Sequence, residues 1–184
     1  VVILPSGNSL SLGKRTLLMS IINLSDDSFH SDSRTYGKVD FAVARAIEHA
    51  ENGADMIDLG AESTRPGASR ISENEEIGRM IPAVSAVRRN LPSMPISVDT
   101  TRKNVAKAAL EAGADIVNDI SGLTFEPEIA RVAADHGAML IIMHMRGTPE
   151  TMRLMCGYGN LLKEINDFFE EKIETAISSG VDRA

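Results

Sequence analysis

The stretch Asp58-Leu59-Gly60-Ala61-Glu62-Ser63-Thr64-Arg65-Pro66-Gly67-Ala68 gathers two carboxylates, two hydroxyls and one guanidinium. The guanidinium of Arg65 has the planar fork that grips a phosphate or a carboxylate in two parallel bonds. The stretch grows out of Met56-Ile57-Asp58-Leu59, which is apolar but for Asp58 and predicts a short buried strand. Pro66-Gly67 signals a turn, so most of the polar groups fall just past a strand's C-terminal end. Parallel α/β folds bind their ligands at that end. A solvated loop ahead of a helix would also look like this, and the other strands decide between the two. The five predicted strands end at Asn23, Asp58, Asp99, Asn118-Asp119 and His144, all polar.

The elements that must hold these groups recur. Glu51-Asn52-Gly53-Ala54-Asp55-Met56-Ile57-Asp58 returns as Glu111-Ala112-Gly113-Ala114-Asp115-Ile116-Val117-Asn118, with a looser copy in Asp135-His136-Gly137-Ala138-Met139-Leu140-Ile141. Each copy is a helix end with glycine at the left-handed cap, then a strand. Repetition of one helix-to-strand joint predicts an α/β chain of βα units. The strands are expected over 17–22, to Asp58, over 95–98, to Asn118 and over 139–143. Helices are expected over 40–51, from the capping-box pattern Ser72-Glu73-Asn74-Glu75 to about Asn90 with a kink at Pro82, over 103–112, from Pro127 to before Gly137, and over 161–177. Residues 1–13, with the turn Pro5-Ser6-Gly7-Asn8, predict a small hairpin ahead of the main fold. The segment from Ser25 to Tyr36 is polar apart from Phe29 and Tyr36 and predicts a mobile loop. A fourth joint, Ser179-Gly180-Val181-Asp182, predicts a sixth strand beyond Ala184, and the start at Val1 suggests a trimmed N-terminus.

With 184 residues, 43% of them hydrophobic and 24% charged, the chain can bury one sizeable core. A net charge of −7 without a Lys/Arg-rich run argues against a nucleic-acid surface. The opening Val1-Val2-Ile3-Leu4 is too short for a signal peptide or a membrane span. One cysteine, Cys156, rules out an internal disulfide and fits the cytoplasm. In an open doubly wound sheet of flavodoxin type, only loops at the switch point meet the ligand. In a (β/α)8 barrel every such loop converges on one mouth. Polar residues at all five strand ends favour a TIM (β/α)8 barrel. The chain would supply its first five units, as one domain over residues 1–184.

Together these residues resemble dihydropteroate synthase, a family of pterin-binding enzymes. The likeness is carried by Ile21-Ile22-Asn23 through Asp27-Ser28-Phe29, by Asp58 to Ala68, by Ser97-Val98-Asp99-Thr100, by Val117-Asn118-Asp119-Ile120-Ser121-Gly122, and by Met143-His144-Met145 with Gly147-Thr148-Pro149. Glu62-Ser63-Thr64-Arg65-Pro66-Gly67 is the most specific of them. The resemblance implies condensation of p-aminobenzoate with 6-hydroxymethyl-7,8-dihydropterin pyrophosphate, with release of pyrophosphate, in folate biosynthesis. It implies that Asp99 and Asn118 read the pterin edge while Ile120 and Met143 pack its ring. By the same resemblance Asn23 holds a pyrophosphate-bound Mg²⁺. Asp27, Ser28, Phe29, Ser63, Thr64, Arg65 and Pro66 serve the pyrophosphate and p-aminobenzoate loops, and the protein is a homodimer and a sulfonamide target.

Read one at a time, the same residues have plainer explanations. Asp99 before Thr100-Thr101 suits a helix cap, Asn118 can tie down a loop, and Met143, His144 and Met145 suit core and rim. The chain also departs from the family. Asn23-Leu24-Ser25-Asp26-Asp27-Ser28-Phe29-His30 lacks the usual proline, and the later Asp-Pro-Gly, Ser-Arg-Lys and Arg-x-His motifs are not in the sequence. Two other functions fit a pterin-reading barrel: a corrinoid methyltransferase-type domain, which has no use for Ser63-Thr64-Arg65-Pro66, and a non-catalytic pterin-binding homologue.

Overall fold

The repeated joint is where the sequence dictates the backbone most directly. In the computed structural model, which describes residues 1–24, 36–62, 70–148 and 151–183, Gly53, Gly113, Gly137 and Gly180 all take positive φ, between 62° and 109°. Each turns the chain out of a helix and back under the sheet, a conformation that costs glycine nothing. Two short strands, β1 (Val2–Ile3) and β2 (Ser9–Leu10), pair antiparallel as the leading hairpin. Five βα units follow: β3 (Met19–Asn23), α1 (Tyr36–Glu51), β4 (Met56–Gly60), α2 (Glu73–Asn90), β5 (Ile96–Asp99), α3 (Lys103–Glu111), β6 (Ile116–Asp119), α4 (Ile129–Asp135), β7 (Met139–Ile142) and α5 (Leu161–Ser178).

The strands lie in the order β3-β4-β5-β6-β7, all parallel. A flavodoxin-like sheet reverses its order at a switch point; this one never does. Each helix also packs on the next, α1 on α2 through to α4 on α5, so the helices form one layer on one face. That is the wall of a TIM barrel.

Alternation sorts the side chains into two cores. Ile22, Ile57, Leu59, Ile96, Val98 and Val117 face outward and pack against Ala42, Ala46, Met80, Val84, Ala106 and Ala130 of the helices. The N-terminal end of the inner face is apolar. There Met56 and Ile116 pack with Leu4 and Leu10, so the hairpin plugs that end of the wall.

The Asp of the joint fastens this end. The carboxylate of Asp115, fully buried, accepts from the Ile96 N–H (3.0 Å), from the Ser6 N–H of the hairpin (3.1 Å) and from Arg88 (2.5 Å). Asp55 does the same one unit earlier, accepting from the Leu18 N–H and pairing with Arg15. The Arg15 guanidinium holds the Asp55 carboxyl down to about 2.

Several element bounds differ from the sequence expectations. β4 runs on to Gly60, because Gly60 pairs with both Asn23 and Asp99. Asp58 is therefore inside the strand and not at its end. The strand expected over 17–22 is β3, which runs from Met19 to Asn23, and α1 starts at Tyr36, four residues ahead of the expected Asp40. α4 begins at Ile129; Pro127 sits in the tight turn before it, where its carbonyl accepts from the Ala130 N–H. α2 is capped by Ser72, whose hydroxyl accepts from the Glu75 N–H, and continues through Pro82. The capping-box glutamate, Glu75, pairs with Arg79. The expected loop over 25–36 lies, but for Tyr36, outside the described residues.

Candidate active site

Register places the polar residues in two rungs across the inner face. The upper rung, at the C-terminal ends of the strands, is Asn23, Gly60, Asp99, Asn118 and Ile141; the lower is Ile21, Asp58, Ser97, Ile116 and Met139. A parallel wall buried on both sides ordinarily carries aliphatic residues in such positions. Here the centre of both rungs is polar. Gly60 keeps the upper rung open: a Cβ there would stand 3.7 Å from Asn23 Oδ1 and from Asp99 Oδ2. A gap bounded by an amide and a carboxylate is left in the middle of the rung.

The Asp99 carboxylate is held by no hydrogen bond among the described residues. The N-cap of α3 is Arg102, whose side chain makes no capping bond, and the first N–H of the helix, that of Lys103, is met by Glu126 at 2.8 Å, so Asp99 is not the cap. Burial, reinforced by the charges of Asp58, Glu76, Asp119 and Glu62, pushes Asp99 up to about 7. Below it, Asp58 is 4% exposed. Its Oδ2 accepts from Asn118 Nδ2 at 3.3 Å. Burial raises its pKa, with Ser97 and Asn118 opposing the shift. Asp58 Oδ1 and Ser97 Oγ are both buried and unpartnered among the described residues.

The rim is braced by a second acidic group. Glu76 of α2, 2% exposed, accepts from Thr100 Oγ1 at 2.7 Å and pairs with Arg102. Arg102 also donates to the Ile71 carbonyl (2.7 Å) and lies 3.6 Å from Glu62, which Arg70 approaches at 3.3 Å. Glu62, Arg70 and Ile71 flank residues 63–69, so both ends of that segment are tied to the first turn after β5. After β6, the buried Asp119 accepts from the Ser121 and Leu123 N–H groups (2.8 and 2.7 Å), and Leu123 is held at φ 60°. A bulky residue at positive φ is strained, and Gly122 beside it has no room for a side chain. A Cβ there would lie 2.4 Å from the Met143 carbonyl.

Of the candidate residues, the structure brings Asn23, Asp99 and Asn118 into one rung. Ile120 and Met143 follow Asn118 and Ile141 at two-residue spacing, half-buried and 39% exposed respectively. Asp27, Ser28, Phe29, Ser63, Thr64, Arg65 and Pro66 lie outside the described residues. His144, expected as the polar end of the fifth strand, stands two residues beyond β7 with its ring edge-on to Phe168 of α5 at 4.8 Å. Ser97 enters the sequence reading only within the Ser97-Val98-Asp99-Thr100 likeness, and Glu76, Arg102 and the place of Asp58 beneath the rung do not enter it. Asp58 had a signal, a carboxylate at an alternating position of an apolar strand. Glu76 and Arg102 had none, being ordinary helix and turn charges in the sequence. No group of three or more His, Cys, Asp or Glu residues is placed to hold a metal among the described residues. None of the described helices is long and apolar enough to cross a membrane.

A parallel βα wall with carboxylate and amide groups across its C-terminal end has the architecture of an α/β-barrel enzyme, whose sites lie at that end. Comparison with known proteins narrows the class. Dihydropteroate synthase of Synechocystis is 49% identical over 97% of this chain, which covers 61% of that protein. The crystal structure of dihydropteroate synthase from Clostridium difficile in the presence of pteroic acid superposes with a TM-score of 0.85 at 38% identity, covering 95% of this chain and 64% of that one. The Xanthomonas albilineans enzyme with 4-aminobenzoic acid gives 0.80 at 37% identity, over 92% and 59%. The chain thus spans about three fifths of the length of the relatives it matches. Residues 19–184 match the model of the pterin binding enzyme family. The chain belongs to that family.

Proposed function

We propose that this protein is a dihydropteroate synthase, joining p-aminobenzoate to 6-hydroxymethyl-7,8-dihydropterin pyrophosphate in the cytoplasm, as a homodimer. Residues 1–184 form its pterin-binding domain. The observation that carries the reading is the upper rung, where Asp99 and Asn118 flank the inner face side by side over a buried carboxylate. A 2-amino-4-oxopyrimidine edge presents N–H donors beside a carbonyl. Acceptors aligned on adjacent strands match such an edge and reject analogues without it. Ile120 and Met143 supply apolar surface to the ring.

In the reaction the bond between the pterin methylene carbon and the pyrophosphate oxygen breaks, and the electron pair leaves with pyrophosphate. The arylamine nitrogen then bonds to that carbon and gives up a proton to solvent. Positive charge develops on the pterin as the anion departs. Asp99, Asp58, Glu62, Glu76 and Asp119 set a negative field around that place, which favours the charge separation. Thr64, Arg65 and Ser63, with Asp27, Ser28 and Phe29, are assigned to the pyrophosphate and Pro66 to p-aminobenzoate. Asn23 fits Mg²⁺ as a single neutral oxygen on an exposed strand end, suited to a hard cation that keeps its waters and takes its other ligands from a diphosphate. When bound, the cation neutralises the departing pyrophosphate.

Binding is tested by calorimetric titration of 6-hydroxymethylpterin into the protein and into Asp99→Ala. Micromolar binding to the first and at least a hundredfold loss in the second is expected. Turnover is tested by dihydropteroate formation and its competition by a sulfonamide. Failure of the wild-type protein to bind the pterin overturns the reading.

A further inference from the structure

Beneath the rung assigned to the ligand, the inner face holds a second polar pair. Asp58 and Ser97 are register partners on β4 and β5, one rung beneath Asp99 and Asn118. On the opposite face, the neighbouring pair Leu59 and Val98 shows what the wall otherwise uses. Asp58 Oδ1 and Ser97 Oγ are buried without a hydrogen-bond partner among the described residues, an arrangement that is costly to leave in a sheet. A carboxylate whose task was to fasten the sheet would be fully bonded, as Asp115 is at the other end of the wall. The hydrogen bond from the Asn118 amide reaches Asp58 from above, at 3.3 Å.

We infer that Asp58 is a positioning residue: by accepting from Asn118 Nδ2 it fixes which end of that amide is offered to the ligand, and so sets the donor pattern the site selects. An amide can present either its oxygen or its nitrogen, and only its partners decide which. Flipped, Asn118 would set its oxygen against a carboxylate oxygen. Held as it is, Oδ1 is free to accept alongside the Asp99 carboxylate, and the second N–H remains to donate. The ligand class so selected is a planar heterocycle with a 2-amino group and an adjacent ring N–H; a 2-oxo ring is disfavoured. Asp58 keeps this role on protonation, because a carboxyl protonated on one oxygen still accepts through the other.

The inference rests on the pterin-site reading, and the test separates the two. Affinities of 6-hydroxymethylpterin and of the corresponding 2,4-dioxo analogue, 6-hydroxymethyllumazine, are measured for the wild type, Asp58→Asn and Ser97→Ala. Asp58→Asn is isosteric and can either donate or accept, so the Asn118 amide is released. The wild type is expected to prefer the pterin by at least a hundredfold. In Asp58→Asn that ratio falls at least tenfold, chiefly through tighter binding of the lumazine, while Ser97→Ala keeps it. The ¹⁵N-resolved side-chain amide signals of Asn118 shift in Asp58→Asn and not in Ser97→Ala. Pterin binding with an unchanged ratio in folded Asp58→Asn overturns this inference alone. A wild type that binds no pterin overturns it together with the function.

Discussion

Asp99 is where recognition and stability pull against each other. Its folded pKa of about 7 stands well above the ordinary 3.8. Between those values the folded state holds a proton that the unfolded state has lost, so stability falls as pH rises from about 4 to about 7 and the full cost persists above 7. Asp99→Asn removes that cost. It should stabilise the protein at pH 8 by up to about 4 kcal/mol and leave stability at pH 4 nearly unchanged, as read from urea unfolding at the two values. A variant equally stable or less stable at pH 8 would show that the buried charge is compensated. To accept from two adjacent N–H groups of a ligand through both oxygens, the same carboxyl must be ionised. Pterin affinity is therefore expected to weaken about tenfold per unit below pH 7, with proton release visible as a buffer-dependent binding enthalpy. A flat affinity from pH 5.5 to 8 contradicts this.

Elements are joined here by carboxylates at both ends of the wall, for different purposes. At the N-terminal end Asp115 binds β5, the hairpin and Arg88 at once. Removing one partner of a buried pair costs about 3–5 kcal/mol, because the other is left unpaired. Asp115→Ala should lose that much in denaturant unfolding, with binding of pterin retained at temperatures where the variant is folded. A loss under 1 kcal/mol would mean that the network is redundant. At the C-terminal end Glu76 and Arg102 hold the two flanks of residues 63–69. Glu76→Gln is expected to lower turnover at least tenfold with pterin affinity within threefold, since residues 63–66 between those flanks are the ones proposed to meet the pyrophosphate and p-aminobenzoate. Equal loss of both would place Glu76 among the supports of the whole rung.

For the molecule as a whole, the strand order sets where it is firm. β4, β5 and β6 are paired on both sides, while β3 and β7 each have one pairing neighbour among the described residues. Ile21 on the inner face of β3 is 62% exposed and Met143 beyond β7 is 39% exposed, whereas the β4 side chains are all buried. Amide hydrogen exchange of this 184-residue chain should be slowest in β4 and β5 and faster, by at least tenfold, in β3 and β7. Uniform protection across all five strands would show that the outer strands gain support elsewhere.

The sequence by itself determined the βα repeat, the hairpin and the polar character of the strand ends. Those signals are local: a glycine that must take positive φ after a helix, an apolar run of strand length, a side chain at its end. It also placed Asp99 and Asn118 at the right ends of adjacent strands. Only the tertiary structure decided which residues share a rung, because pairing register is a relation between strands and no single strand carries it. Gly60 looks like loop in the sequence, yet it extends β4 and drops Asp58 one rung below the position first given to it. His144 matched the polar strand ends in type, and packing against Phe168 assigns it to the helix contact. The joint's Asp55 and Asp115 were visible as a repeat, but their work lies with Leu18, Arg15, Ser6, Arg88 and Ile96, brought to them by folding. Glu76 and Arg102 stand 26 residues apart. An ion pair at that separation leaves no mark in either residue's neighbourhood, and forms only once α2 packs beside α3.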